Sequence, residues 1–319
     1  MKINTFKVDN FIIGRPASVF LIAEIGINHN GKFDLCKKMI IAAAKSGADA
    51  IKLQTIDPNE SYLKNTPSYK EFLNKELSDE ELYKLKKITE KLGLVFFSTP
   101  GDFKSLERLK KIGVKLIKIS SGLLTNIPLI EQVSKYKIPI YLAGNTVESA
   151  SLAGKYGDGI MPYLTPRDHL PVLLDAGKMA AIDERKNPEK FQCVLSIPTF
   201  LSTDDDEARS AAKYNLAFFS QLPNYRRQWR RAGFGTAMTQ LKNLWHKRGT
   251  RHDAMKIVPE ELIDQVCLVG SVPSCLKQIE AFIGKGAGEI VLAISPVNEK
   301  RDTATTQVLS AFHKHLKGC

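Results

Sequence analysis

Eight times along this chain a short run rich in β-branched and aromatic residues alternates with a stretch of helical periodicity, and that rhythm leaves few folds open. The runs are Val19–Ile25, Ala50–Thr55, Leu94–Thr99, Leu116–Ser120, Pro139–Ala143, Gly159–Tyr163, Cys193–Ile197 and Glu289–Ile294. Between the first two, Phe33 to Lys45 has the apolar spacing of an amphipathic helix. Ser78-Asp79-Glu80-Glu81 is a capping box that opens another helix, which stops at Gly93. Strands that are nearly all followed by helices pair in parallel, and eight of them close into an α/β barrel more readily than they spread into an open sheet. The stretch from about 204 to 269 is too long for a single crossover and reads as a helical insertion between strands seven and eight. The expected fold is therefore a single (βα)8 TIM barrel across residues 1–319. In a closed barrel strand four pairs with strand five and strand eight with strand one.

Composition narrows the class of function. No run of about 18 apolar residues exists, so no transmembrane helix and no membrane partner are expected. The opening MKINTFKVDNFIIGRP turns polar too soon for a secretory signal. Cys36, Cys193, Cys267, Cys275 and Cys319 are scattered, odd in number and free of CxxC spacing. They point to a reducing, cytoplasmic setting and away from a disulfide framework or a structural zinc site. A formal net charge of +12 raises nucleic acid as a partner, and Arg226, Arg227, Arg230 and Arg231 beside Trp229 could bind phosphates. Their i, i+1, i+4, i+5 spacing equally describes a solvated helix face. No nucleic-acid motif accompanies them, so nucleic acid is not the expected partner. The segment 223–252 is left with two roles, covering the barrel mouth or mediating homo-oligomerisation.

The basic residues are also unevenly chosen. Residues 1–137 hold 21 Lys and 2 Arg, whereas residues 138–319 hold 13 Lys and 10 Arg. Surface chemistry gives no reason for the change; different base composition in two ancestral genes would.

Reactive groups of a parallel barrel sit at the carboxyl ends of its strands and in the loops that follow. Those positions hold Glu24 with Asn28 and His29, Lys52 with Gln54 and Thr55, Ser98, and Lys118 with Ser120 and Ser121. Two lysines and a glutamate aimed into one mouth must be paired or must bind something charged. Lys52 and Lys118, on strands of equal parity, could clamp a phosphate while Glu24 orients a hydroxyl or moves a proton. A Glu–Lys ion pair closing the mouth is the competing reading. After strand five, Gly144-Asn145-Thr146 could bring backbone N–H groups and a helix N-terminus to an anion, or could be an ordinary strand-to-helix turn.

Four linked motifs then become specific: Ala23-Glu24-Ile25-Gly26-Ile27-Asn28-His29-Asn30-Gly31, Lys52-Leu53-Gln54-Thr55, Phe97-Ser98-Thr99-Pro100, and Lys118-Ile119-Ser120-Ser121-Gly122 with Thr125-Asn126-Ile127-Pro128-Leu129. In order and spacing, residues 18–135 resemble the sialic acid synthase family. That family condenses phosphoenolpyruvate with an N-acetylated amino sugar on a divalent metal. The resemblance implies phosphoenolpyruvate contacts at Lys52, Lys118 and Ser121, with Glu24 and Gln54 near the sugar. It then stops. The metal-binding histidine patterns of the family, HCxxxYP and YSDHT, do not occur, and His169, His246, His252, His313 and His315 sit at no expected strand end. No metal site is expected, and without a metal the condensation lacks electrophilic activation of the sugar.

Residues 138–300 resemble a different family, the luciferase-like monooxygenases. The likeness rests on Ile138 to Thr146, Leu152 to Gly159, Pro162 to Pro166, Leu222 to Arg227 and Leu268 to Pro273. It implies flavin mononucleotide or a deazaflavin as cofactor, with its phosphate at Gly144, Asn145 and Thr146. In that family the first four strands hold the ring, and here they come from the other family. The two resemblances meet near Ser134–Ile138, so the chain reads as a chimera of two half-barrels, 1–137 and 138–319. Three functions follow. One is a synthase-like transferase barrel that binds phosphoenolpyruvate or a similar small phosphorylated ligand, with catalysis impaired. The others are a flavin- or deazaflavin-dependent oxidoreductase and a non-catalytic scaffold.

Overall fold

The computed structural model describes residues 6–8, 10–13, 20–136, 138–298 and 310. Val19, Cys319, His313 and His315 lie outside the described residues. Two short strands, β1 (Phe6–Val8) and β2 (Phe11–Ile13), pair antiparallel. Val8 and Phe11 pack among the strand-start residues Phe20, Ile22, Ala50 and Val95, so this hairpin closes the amino-terminal end of the barrel.

The barrel strands are β3 (Ile22–Gly26), β4 (Ala50–Thr55), β5 (Val95–Pro100), β6 (Ile117–Ile119), β7 (Ile140–Ala143), β8 (Gly159–Met161) and β9 (Gln192–Leu201). After the insertion come β10 (Leu268–Gly270) and β11 (Glu289–Ile294). From β3 to β9 each strand pairs in parallel with the next. The long β9 serves two partners: Val194–Thr199 pair with β11, and Thr199–Leu201 with β10. Alternation sorts the side chains by face. Ile22, Val95, Phe97, Tyr141, Met161, Val194 and Val291 fill the inside, while Ile51, Leu53, Phe96, Ile117, Leu142 and Leu195 pack outward against the helices.

The two joins between the half-barrels differ. At the first, β6 and β7 form a regular ladder, with Ile117, Lys118 and Ile119 opposite Ile140, Tyr141 and Leu142. At the second, β11 comes within 8 Å of β3, yet no ladder joins them among the described residues. The expected pairing of strand eight with strand one is thus not observed. The register of β3 shifts between Glu24 and Gly26, and such a bulge bends a strand and interrupts its hydrogen-bonding edge.

Element bounds follow the sequence closely where the pattern is long. The helix Phe33–Lys45, β4 and the Ser78–Glu81 capping box stand where periodicity puts them. The region 204–269 holds five helices between Asp205 and Val266, with its own core around the fully buried Trp229. Its end is not helical: β10 extends the sheet, and three residues carry too little periodicity to be read as a strand.

Candidate functional site

A cavity of about 1340 Å³ opens at the carboxyl ends of the strands. Glu24, Asn28, Lys118, Ser121 and the loop Gly144–Thr146 line it, so the structure brings these expected site residues together. It also reaches through the unpaired join, where Ala23 and Leu292 and the helix residues Leu35 and Met39 form its wall. Lys38, Lys118, Arg227 and Arg231 are the basic groups on its lining, against Glu24 and Glu148. The balance favours anions.

Lys52 behaves differently from the expectation that it faces the ligand. It is 1% exposed, lies beneath the cavity floor, and is absent from the lining. Its Nζ stands 2.6 Å from Glu24 Oε2, yet finds no well-directed hydrogen-bond acceptor. Equal strand parity brings Lys52 and Lys118 close enough to repel, but Lys52 sits one step deeper. Lys118 has no hydrogen-bond or ion-pair partner among the described residues. Its amine is pushed down from the usual 10.5 to about 7, first by burial and then by the Lys52 cation, with Glu24 acting in the opposite sense.

Beyond Glu24 the remaining expected residues part company. His29 is buried, its Nδ1 accepts the Gly31 N–H at 3.1 Å, and burial lowers its pKa. It shares a separate, small cavity with Gln54 and Thr55. The Thr55 and Ser98 hydroxyls, both buried, bond to each other at 2.8 Å. Ser120 precedes the short turn Ser121–Leu123 without capping it and is absent from both linings.

The loop after β7 is built as a helix start. Gly144 is required there, because a Cβ would stand 2.3 Å from Ser149 Oγ. The Thr146 N–H donates to Ser149 Oγ and the Ser149 N–H to Thr146 Oγ1, a reciprocal cap. The Glu148 carboxylate is held below its usual range by its own backbone N–H and by Thr146. Asn145 Oδ1 accepts from the Tyr163 N–H and from Thr165 Oγ1. Several donors that would meet a cofactor phosphate are therefore occupied internally.

Of the two roles left open for the segment 223–252, its first helix takes the covering one and roofs the cavity. The helix Pro223–Arg231 does not simply present a solvated basic face: Gln228 and Trp229 are buried, and Arg227 and Arg231 line the cavity. Gln228 Nε2 donates to Thr165 Oγ1 at 2.8 Å, and Trp229 Nε1 donates to the Leu164 carbonyl at 3.0 Å. Beside Arg231, His169 has its pKa lowered, chiefly by burial. The buried pair Gln228-Trp229 between arginines was the available signal, since a solvated helix has no use for a tryptophan there. Among the described residues, no group of three or more His, Cys, Asp and Glu side chains could hold a metal ion. No helix among them is long and apolar enough to cross a membrane.

Comparison with known proteins agrees with this division. A family model described as luciferase-like monooxygenase matches residues 123–289, just over half of the chain. The chain belongs to the luciferase-like monooxygenase family. A second model, of the NeuB family, matches residues 39–151, so this luciferase-like chain is sialic-acid-synthase-like in its first part. The two matches overlap over 123–151, around the β6–β7 join.

The N,N'-diacetyllegionaminic acid synthase of Legionella pneumophila is 36% identical over 172 residues, which are 47% of this chain and 48% of the relative. The chain spans less than half the length of the first curated relatives it matches. Among solved structures, the coenzyme F420 dependent tetrahydromethanopterin reductase of Methanopyrus kandleri aligns with a TM-score of 0.62 and 14% identity, covering 95% of this chain and 99% of that one. The N-acetylneuraminic acid synthetase of Leptospira borgpetersenii serovar Hardjo-bovis aligns with a TM-score of 0.56 and 18% identity, covering 99% and 90%. At these identities the likeness is one of fold. One barrel superposes on both.

Proposed function

We propose that this barrel binds phosphoenolpyruvate or a similarly compact phosphorylated anion at the mouth of its first four strands, as a synthase-like transferase site impaired in condensation. The observation that carries the reading is a pair of lysines facing one carboxylate: Lys52 is buried and ion-paired with Glu24, which leaves Lys118 in the cavity wall without an anion of its own. Burying such a pair is unfavourable unless an anion completes it. The sugar half of a condensation needs the metal ligands that residues 138–319 do not supply in the family's pattern. No sialic acid should form from phosphoenolpyruvate and N-acetylmannosamine above a no-enzyme control, with or without manganese.

Binding is tested by thermal unfolding with inorganic phosphate and with phosphoenolpyruvate. Ligand at 100 times its Kd adds about 2.7 kcal/mol and raises Tm. Lys118→Ala should abolish most of that shift, whereas Arg230→Ala, outside the cavity lining, should keep it. An unchanged Tm, or equal behaviour of the two variants, would leave Glu24–Lys52 as a structural ion pair in a non-catalytic scaffold.

A second reading, a flavin or deazaflavin oxidoreductase, is favoured by the family match over 123–289 and by a cavity large enough for a tricyclic ring. Asn145, Thr146 and Ser149 spend their polar groups on one another and on residues 163–165, so that loop fits a phosphate poorly. A visible absorption band copurifying with the protein would favour this reading over the first.

A further inference from the structure

Lys118 combines features that a simple anion clamp does not need. It projects from the middle of β6, opposite Tyr141 in the ladder, into a cavity with room for an organic substrate. Among the described residues no carboxylate, carbonyl or hydroxyl takes its protons. The nearest acid, Glu24, is already committed to Lys52, so a proton on Lys118 faces a cation and has no anion of its own. Surface lysines of this chain, such as Lys104 with Asp57, show the contrary arrangement. An amine placed this way carries a free lone pair at a reachable position, which is what carbonyl addition requires.

We infer that Lys118 is a nucleophilic amine that forms an imine with a small carbonyl compound bearing a carboxylate, an α-keto acid being the simplest class. The step balances without an outside oxidant or reductant. The Lys118 Nζ lone pair adds to the carbonyl carbon, the C=O π pair moves to oxygen, and a proton passes from the nitrogen to that oxygen, giving a neutral carbinolamine. One further proton lets that hydroxyl leave as water while the nitrogen lone pair forms C=N, giving a protonated imine. Glu24, lining the cavity and 2.6 Å from Lys52, is the group placed to relay those protons. The positive balance of the lining selects the anionic carbonyl compound over a neutral one. The inference uses the same cavity as the anion reading but not the same property: one needs charge on Lys118, the other its lone pair.

Pyruvate with sodium cyanoborohydride, followed by peptide mass mapping of the whole chain, tests the inference. At pH 7.5 most of an amine with a pKa near 7 is neutral, against roughly a thousandth of an ordinary lysine, so even with weaker intrinsic nucleophilicity Lys118 should label at least about tenfold faster than Lys38. Because Lys38 lines the same cavity, the comparison is made within one folded protein. Labelling of Lys118 no faster than Lys38, or no reduced adduct at Lys118, overturns the inference. Two readouts on the wild-type protein separate the two proposals: a phosphate-dependent Tm shift with no adduct at Lys118 would sink the imine alone. Loss of the Tm shift in wild type with the adduct intact would sink the anion reading alone.

Discussion

The two joins between the half-barrels make a natural experiment. At the β6–β7 join, three consecutive residue pairs stay in register and Leu142 and Ile119 are fully buried behind them. At the β11–β3 join there is proximity without a ladder, and the large cavity runs out through the gap. Both bring together strands that resemble different families. The first is continuous in the chain and connected by the short turn Ser121–Leu123 and the helix Ile127–Ser134, so sequence-local packing can set its register. The second must be closed by strands nearly the whole chain apart. In this barrel, the join between strands adjacent along the chain is laddered and the ring closure, among the described residues, is not.

The largest expected contrast is in packing energy. Leu142→Ala at the sound join should cost about 3 kcal/mol, within the usual 2–5 kcal/mol for a fully buried leucine. Leu292→Ala borders a space that already exists, so it creates little new cavity and should cost about 1–2 kcal/mol. Urea unfolding midpoints measure both, and equal losses would break the contrast.

Next in size are two buried ionisable groups of opposite charge type, Lys118 and Glu289. Lys118 has a folded pKa below its unfolded one, so its contribution to stability is present above pH 10.5 and is lost as pH falls through about 7. Lys118→Met should therefore stabilise the protein most at pH 6, by about 2–3 kcal/mol, with the gain fading toward pH 10.5. A gain that does not vary with pH would mean that the amine is not the cause.

Glu289, first residue of β11, shows the reverse. Burial raises its carboxyl to about 8, and Oε1 has no hydrogen-bond partner. Its contribution is fully present below pH 4.5 and is lost as pH rises through about 8. Glu289→Gln should stabilise by about 1 kcal/mol at pH 9 and by almost nothing at pH 4.5, since the amide also stays buried. Chemical denaturation at the two pH values decides; the opposite ranking would place the penalty elsewhere.

The fold was legible because its signal is repetitive. Ala50–Thr55 and Phe33–Lys45 carry full periods of two and 3.6 and needed no tertiary knowledge. Resemblance marked the change of family near Ser134–Ile138, within the segment that both family models claim. The site was legible only as a set of strand ends. Nothing in the spacing of Lys52 and Lys118 states that one lies under the floor and the other in the wall, because depth depends on strand tilt and stagger. For residues 223–231 the sequence left covering the mouth and self-association side by side, since an amphipathic pattern gives a helix its faces but not its neighbours.

Gln228 on the roof helix grips Thr165, and Thr165 grips Asn145 in the loop after β7. Roof and rim are therefore coupled members of one lever rather than a flap on a free hinge. Prying the roof open must either break that two-bond chain or drag the rim along. Guest exchange and breathing of the insertion would then share one clock, while the unladdered side of the ring remains a door that needs no such key.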